Sequence, residues 1–510
     1  MTRYVCSGLE MAEMDRQTIE SFGVPGRVLM ELAGRGVAAA TMERAPPGAR
    51  VIVLCGPGSN GGDGFVCARA LAAAGYRTET AVFANRGRLS GDSRAAFQTL
   101  EREDTVHVTF VDDARELWAL SNRLTECQIV VDALLGTGLR EDVRGLIADV
   151  IDVVNQSPVP VVSVDVPSGI DADTGRVLGR SVQATATVTF AFPKRGHFLA
   201  PGKDAVGELS VVDIGIPKSL AESMSVVGRV IDYRDGPKLI PNRNGDTHKG
   251  SYGHVVVVGG SPATPGAAVL SARGALRAGA GLVSWATESA TCARASGLVP
   301  EIMLRIRESD SIETWATEVC ERADALVVGP GLGLGEDRVE LLRQVLRRTS
   351  APICLDADAL TLMGRYPELW NEVRGSVIVT PHPKEMARLV GSDVADVQRD
   401  RFASALQLSV GRGCVVVLKG AGTVIADPDG LVTVLDAGNP GMATGGTGDV
   451  LAGVVGALLA QGIEPSQAGL GAALLHSCAG DHAADIHGRA GLRAGDVIES
   501  IGDVLAGWNR

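Results

Sequence analysis

The stretch VIVLCGPGSNGGDGFVCARALAAAG, residues 51–75, decides how the first half of the chain folds. Its opening run, Val51–Cys55, is wholly apolar and mostly β-branched, the pattern of a strand buried on both faces of a parallel sheet. GPGSNGGDG follows at once at 56–64, and Phe65–Ala74 reads as a helix. Gly56, Gly58 and Gly61 satisfy G-x-G-x-x-G, and Glu79 follows about twenty residues on, as in a dinucleotide fingerprint. Glycine lets backbone N–H groups approach a phosphate, and the start of the next helix adds its dipole. A tight strand–helix turn uses the same glycines. Asn60 and Asp63 are more than such a turn requires, and they suggest a loop that also handles a ligand or an ion.

The same alternation runs along the whole chain. In the first half, further strands are expected at Thr78–Phe83, Ile129–Asp132, Val159–Asp165, Thr185–Phe190 and Glu208–Asp213. In the second they fall at His254–Val258, Leu282–Thr287, Ala325–Val328, Pro352–Asp356, Val377–Thr380, Val415–Lys419 and Leu431–Leu435. Apolar strands separated by helical stretches predict an α/β chain with parallel sheets covered on both faces. A helical stretch from Met11 to Met42 precedes the first strand and stops at Pro46-Pro47-Gly48. At about 150 residues per domain the length admits three units. One polar segment with two prolines, Asp232 to Gly250, breaks the rhythm. Full sets of strands and helices on either side favour two domains, 1–231 and 246–510, with a connector over 232–245. A long surface loop within one domain is the alternative.

Composition excludes several classes. Lys and Arg number 48 against 60 Asp and Glu, a net charge of −12, which argues against gripping a nucleic-acid backbone. Five Trp, five Tyr and nine Phe leave little on which to stack bases. The apolar run Val450–Ala460 is about half of the ~20 residues a membrane span needs. The first thirty residues carry Arg3, Glu10, Glu13, Asp15 and Arg16, so no secretion signal is visible there. The nine cysteines are scattered without close pairs, several within strand-like runs, as expected of buried thiols in a reducing cytoplasm. Glycine is the outlier, at 64 residues. With no Gly-X-Y period, that surplus belongs to loops.

Two more strands of the first half end as the first does. Asp132 closes one and leads into LLGTGLR at 134–140, and Asp165 closes another and leads into VPSGIDADTG at 166–175. Ligands of open parallel sheets bind outside the carboxyl ends of the strands, so the three loops are expected on one rim. A lone Asp after a strand is most often a cap or turn residue. Three such ends shift the reading to a site. GPGSNGGDG, VDALLGTGL, VDVPSGIDADTG and TFAFPKRGH (189–197) together resemble the NAD(P)H-hydrate epimerase domain, over nearly all of residues 1–230. The resemblance implies a Rossmann-like three-layer αβα sandwich that interconverts the R and S epimers of hydrated NADH or NADPH. It implies that Ser59, Asn60, Gly61, Gly62 and Asp63, with Gly136, Thr137, Gly138, Leu139, Arg140, Glu141 and Asp142, hold the hydrated nucleotide. It further implies K+ on Asn60, Asp132 and Ser168, Asp165 as the acid/base group, and Lys194 lining the site. Where this family often has a second asparagine, the chain has Ser59.

In the second half, GNPGMATGGTGDVLAG at 438–453 is the strongest element. The consecutive N–H groups of Gly445, Gly446, Thr447 and Gly448 at a helix start form an anion-binding concavity. Asp449 follows directly, where a carboxylate can take the proton of a hydroxyl attacking a bound phosphate. GPGLGLG (329–335), PHPKEMARL (381–389) and LKGAGTVIADP (418–428) follow three other strands. With KGSYGHVVVVGGSPATPGAA at 249–268, these motifs are similar to the ADP/ATP-dependent NAD(P)H-hydrate dehydratase family over about 245–505, which has a ribokinase-like fold. That resemblance implies transient phosphorylation of the hydrate hydroxyl and loss of phosphate, with Asp449 as general base. Ala268, Gly333, His382 and Asp449 match contacts to the hydrate. Lys419, Gly420, Ala421, Gly422, Thr423 and Gly448 match contacts to the adenine nucleotide. Mg2+ is expected with ADP, and Glu385 is the residue best placed for a water-mediated role. His382 after a strand, and Glu385 in a first helical turn, are equally ordinary loop and cap residues.

Together the halves describe a cytoplasmic bifunctional metabolite-repair enzyme whose substrates are NADHX, NADPHX and ADP, expected as a homo-oligomer. The alternatives are a C-terminal vitamin or pyrimidine kinase joined to an N-terminal nucleotide-binding module, an ordinary oxidoreductase domain in the first half, and binding without turnover in either half.

Overall fold

Valine-rich runs become the inner strands of two sheets in the computed structural model, which describes residues 3–224, 226, 228–243, 245–295, 299–308 and 311–509. The chain divides into two units, 1–228 and 229–510. In the first, β1 (Arg50–Cys55), β2 (Arg77–Val82), β3 (His107–Phe110), β4 (Ile129–Ala133), β5 (Val161–Val164), β6 (Ala186–Phe190) and β7 (Glu208–Val212) form one sheet in the order β3-β2-β1-β4-β5-β6-β7. Every pairing in it is parallel. The order reverses between β1 and β4, so the rim outside their carboxyl ends is open for a ligand. Alternate residues of β1 point to opposite faces. Val51, Val53 and Cys55 pack with Met14, Phe65 and Leu71, while Ile52 and Leu54 pack with Leu120, Val150 and Ile151. Each such fully buried aliphatic side chain contributes about 1.5–3 kcal/mol. This is the expected Rossmann-like three-layer sandwich.

The second unit has β8 (Gly228–Ile231), β9 (His254–Val258), β10 (Leu282–Glu288), β11 (Met303–Arg307), β12 (Ala325–Val328), β13 (Ile353–Leu355), β14 (Val377–Val379), β15 (Val415–Leu418), β16 (Val424–Ala426) and β17 (Val432–Leu435). Their order is β11-β10-β9-β12-β13-β14-β15-β16-β17-β8. The pairings from β11 to β15 are parallel, and β15-β16-β17 is an antiparallel meander. Val255 and Val257 pack on one face with residues of the helices Pro265–Arg277, Thr447–Ala460 and Pro465–His487. This is the ribokinase-like unit.

Several expectations need correction. The helix after β1 begins at Ser59 rather than Phe65, so Asn60–Asp63 are its first turns and not a free loop. The helical stretch before β1 is two helices, Gly8–Glu20 and Gly26–Arg44, separated where Gly23 takes a φ of +74° and Pro25 caps the second. The stretch expected as a connector, 232–245, falls within the second unit, which begins at Arg229. The 228–231 stretch is an edge strand of the second sheet, where Asp436 N–H donates to Ile231 O at 2.9 Å. The short helix Gly236–Leu239 that follows belongs to the same unit, with Gln467 bonded to the Leu239 carbonyl at 2.9 Å. Glu79 does not serve a ribose. It is buried near the start of β2, where Arg123 Nε lies 2.7 Å away and Arg50 Nη2 3.6 Å. All nine cysteines are buried. Among the described residues no helix is long and apolar enough to cross a membrane.

Candidate active sites at the carboxyl ends of two sheets

In the first unit a cavity of about 970 Å³ opens at the ends of β1, β4 and β5. Ser59, Asn60, Asp63, the Gly136–Glu141 loop, Asp165 and Lys194 line it. Gly61, Gly62 and Asp142 do not. A Cβ on Gly61 would fall 1.9 Å from Gly56 O, so Gly61 is required by close backbone packing, and Gly62 lies against Met30. Asp142 is exposed. Asp165 stands just after β5 with a left-handed φ of +62°, a conformation that costs a non-glycine residue about 1–2 kcal/mol. Its N–H donates to Val188 O at 2.7 Å, and its carbonyl accepts from His197 Nε2 at 2.9 Å. Lys194 N–H donates to His197 Nδ1 at 3.0 Å, which assigns the ring proton to Nε2. Burial, reinforced by Lys194, pushes His197 down to about 4, so the ring is a neutral clamp.

The Asp165 carboxylate accepts from Lys194 Nζ at 2.5 Å and from Thr189 Oγ1 at 2.8 Å. Lys194 is 1% exposed and also reaches Thr189 Oγ1 at 2.9 Å. Behind the cavity wall, Asp132 is fully buried. It accepts from Ser163 Oγ at 2.8 Å, Ser168 Oγ at 2.6 Å and Ser168 N–H at 2.9 Å. Burial raises its pKa while these donors oppose the rise. Asn60, Asp132 and Ser168 meet around Leu135, whose carbonyl accepts from Asn60 Nδ2 at 2.9 Å.

The second site is assembled from the ends of β13, β14 and β15 and the start of the helix Thr447–Ala460. Lys419, after β15, donates from Nζ to Asp356 Oδ1 at 2.7 Å and lies 3.9 Å from Glu385. Asp356, after β13, is 1% exposed and also accepts from Thr380 Oγ1 at 2.8 Å. A Cβ on Gly448 would lie 3.3 Å from Lys419 Nζ, which puts that ammonium at the start of the helix Thr447–Ala460 beside Asp449. Gly446 caps this helix with a φ of +92°. Burial, with Asp356 adding like charge and Lys419 opposing, pushes Asp449 up to about 7. Burial does the same to Glu385, also to about 7, with Lys419 opposing. Burial works against the Lys419 charge, but Asp356 and Glu385 outweigh it and hold its pKa above the ordinary lysine value.

The other residues expected at this site also serve the fold. His382 caps the helix Pro383–Val390, its Nδ1 accepting from Lys384 and Glu385 N–H at 3.1 and 3.2 Å. Ala268 has no exposed surface and packs in the core, so its side chain offers no contact. Gly333 donates its N–H to Asp358 Oδ2 at 2.8 Å. Thr423 Oγ1 donates to Gly420 O at 3.2 Å, and Thr447 Oγ1 faces the Met442 and Thr444 carbonyls, both at 3.0 Å. Both hydroxyls therefore shape their loops.

Comparison with known proteins identifies the family of the chain. A family model described as NAD(P)H-hydrate dehydratase matches residues 255–503, and one described as YjeF-related protein N-terminus matches 26–196. Bifunctional NAD(P)H-hydrate repair enzymes Nnr from Moorella thermoacetica and Escherichia coli are 38% and 36% identical to the chain. The matches cover 98% and 96% of this chain, and 96% and 91% of those proteins. The chain belongs to the bifunctional NAD(P)H-hydrate repair enzyme family. It is a NAD(P)H-hydrate epimerase and dehydratase in one polypeptide. Among solved structures it is similar to the ADP/ATP-dependent NAD(P)H-hydrate dehydratase from Bacillus subtilis co-crystallized with ATP/Mg2+, at 32% identity over 54% of this chain and 97% of that one, with a TM-score of 0.49.

Two supports of this repair enzyme's candidate dehydratase site carry no mark in the sequence. Asp356 ends an expected strand, but no glycine loop follows to mark it. Arg401 begins an ordinary-looking helix, Arg401–Arg412, yet it is 5% exposed and its Nη2 donates to Leu418 O, Lys419 O and Gly422 O at 3.0, 3.3 and 3.2 Å. It holds the 418–422 turn from behind. Arg401→Ala should leave these carbonyls unpaired, lower stability by about 3 kcal/mol, and raise KM for the nucleotide more than it lowers kcat. Thermal unfolding and nucleotide titration of the dehydratase rate check both effects. The Lys variant should not rescue it, because one ammonium cannot copy the guanidinium fork.

Proposed function

We propose that the first unit interconverts R- and S-NAD(P)H hydrate at Asp165, and that the second dehydrates the S form with ADP, giving AMP and phosphate. The observation that carries this reading is the meeting of Asp449, Lys419 and the Gly445–Gly448 backbone at one helix start. The backbone N–H groups and Lys419 receive phosphate, while Asp449 takes the proton from the substrate hydroxyl as its oxygen attacks the terminal phosphorus of ADP. The P–O bond to AMP breaks, with its electron pair leaving on AMP. The new phosphate ester is a far better leaving group than hydroxide. Its C–O bond then breaks with the electrons on phosphate, and loss of the neighbouring ring proton restores NAD(P)H. The choice of ADP over ATP rests on the family resemblance of the sequence alone. Incubation of S-hydrate with Mg2+ and either nucleotide, following reduced-nicotinamide absorbance and AMP, tests it. ADP should give one AMP per NADH recovered, and recovery with ATP alone would overturn the choice of donor.

Glu385 and Asp449 fit Mg2+ carried in by a nucleotide. Among the described residues no cluster of three or more His, Cys, Asp or Glu forms a dedicated metal cage. A cation bound mainly through phosphate and water suits that arrangement. The ion would supply charge neutralisation on the phosphates. Potassium likewise fits Asn60, Asp132 and Ser168, a set of hard oxygens. Ser168 Oγ lies 2.6 Å from Asp132 and 3.2 Å from Leu135 O, with one proton to share between the two acceptors. A cation relieves the contact left without a proton. Exchange of K+ for Li+ should slow epimerisation on the order of ten-fold and leave dehydration of S-hydrate unchanged. Equal epimerase rates in the two salts would remove potassium from the account.

A further inference from the structure

The cavity of the first unit holds more acid than a single carboxylate mechanism uses. Asp15, Asp63 and Asp165 all line it, and Lys194 is already committed to Asp165 at 2.5 Å. Among the described residues neither the Asp15 nor the Asp63 carboxyl has a hydrogen-bond donor, although Asp63 is only 8% exposed and Asp15 is partly buried. Buried carboxyls without partners are costly, and here the missing donors must come from what fills the cavity.

We propose that Asp15 is the second proton-transfer group of the epimerisation, acting as the partner of Asp165. This rests on the reading of Asp165 as the acid/base group. Asp15 comes from the helix Gly8–Glu20, outside the strand-end loops, yet its position is tied to the same machinery. Cys6 pairs with Lys194 in a backbone bridge, Glu10 bonds Arg195 Nη2 at 2.9 Å, and Gly8 N–H donates to Asp173 at 2.6 Å. Met11 and Met14 anchor the helix in the core. The segment that presents Asp15 is therefore stitched to the segment that presents Lys194.

The chemistry calls for two such groups. In the water-loss route the carbon–oxygen bond beside the ring nitrogen breaks, and the departing oxygen takes a proton from a carboxylic acid while the nitrogen lone pair forms the iminium. Water then adds to the other face, its oxygen bonding to that carbon and its proton passing to a carboxylate. One group gives a proton and one receives it, and the reverse direction exchanges their roles. Burial pushes Asp15 up to about 6, with Lys194 pulling it back and Asp165 adding to the rise, so both protonation states are accessible near neutrality. Burial raises Asp63 well above the usual carboxylate range, with Asp165 and Asp15 adding like charge.

The test uses the full-length protein and R-hydrate of NADH, with ADP, Mg2+ and its own dehydratase reporting recovery, after subtraction of spontaneous epimerisation. Asp15→Asn should lower kcat for R-hydrate about 100-fold with KM within about three-fold, and formate should restore activity to Asp15→Ala. S-hydrate recovery by the same variants serves as the folding control and should match wild type. Wild-type rates on R-hydrate in Asp15→Asn would overturn the proposal. So would a loss confined to KM, or one that formate does not rescue. Wild type that fails to convert R-hydrate would instead fail the epimerase reading itself.

Discussion

Asp449→Asn should lower dehydratase turnover about 10³-fold while making the second unit more stable. The first effect is the loss of a positioned general base, which contributes roughly 10²–10⁴-fold. The amide keeps the shape of the carboxylate and the helix start, so nucleotide KM should change little. The second effect follows from the sign of the perturbation. Burial and Asp356 push Asp449 up to about 7, so the folded state holds the proton more tightly than the unfolded chain, where the group titrates near 3.8. Stability is therefore lost as pH rises from about 4 to about 7, and above 7 the full cost of the buried charge is present. Asparagine removes that cost, which is of the order of a few kcal/mol. Scanning calorimetry at pH 8 should show the second unit melting several degrees higher in the variant, and the difference should vanish near pH 4. The wild-type rate should fall about tenfold per unit below pH 7 as Asp449 takes up its proton. An unchanged rate in Asp449→Asn would remove this residue from the mechanism.

Asp165→Asn has an equally large effect on the other activity and the opposite effect on stability. Lys194 is 1% exposed, and among the described residues Asp165 is the only carboxylate paired with it. Removing that charge leaves a buried ammonium facing Thr189 and the Phe190 carbonyl, at a cost of about 3–5 kcal/mol to the first unit. Asparagine tolerates the left-handed backbone, so the loss is electrostatic and not steric. Epimerisation should fall about 10³-fold. The double variant Asp165→Asn/Lys194→Met should recover most of the stability and none of the activity. Separate calorimetric transitions and R-hydrate conversion report the two quantities. The two aspartates proposed as catalytic thus differ by environment. Asp449 carries a charge that burial disfavours and Lys419 only partly offsets, and Asp165 is half of a buried pair.

What could be read in the sequence follows from how each residue is marked. Asp132, Asp165 and Asp449 each stand where a strand end or helix start meets glycine, and that punctuation is visible along one segment. Asp15, Asp356 and Arg401 are placed by folding alone. They reach the sites from a helix before the first strand, from a strand end followed by helix, and from behind a turn. Glu79 shows the converse, since its spacing fits a ribose contact but its place near the start of β2 turns it to Arg123. The helix at Ser59 was hidden because Gly61, Gly62 and Gly64 look like loop. They are glycines for packing, as Cβ atoms there would strike Gly56 O, Met30 and Cys55 Sγ. Strand β11, Met303–Arg307, carries two arginines and alternates in exposure, which is an edge signature that an expectation of apolar runs passes over.

On this reading one chain holds two sites that act in sequence on the same damaged nucleotide. Mixing the Asp165→Asn and Asp449→Asn proteins with R-hydrate of NADH, ADP and Mg2+ separates the two steps. Neither variant alone should recover reduced-nicotinamide absorbance beyond the rate set by spontaneous epimerisation, and the mixture should approach the wild-type rate. A mixture no better than its components would contradict two separable activities joined by a diffusing S-hydrate.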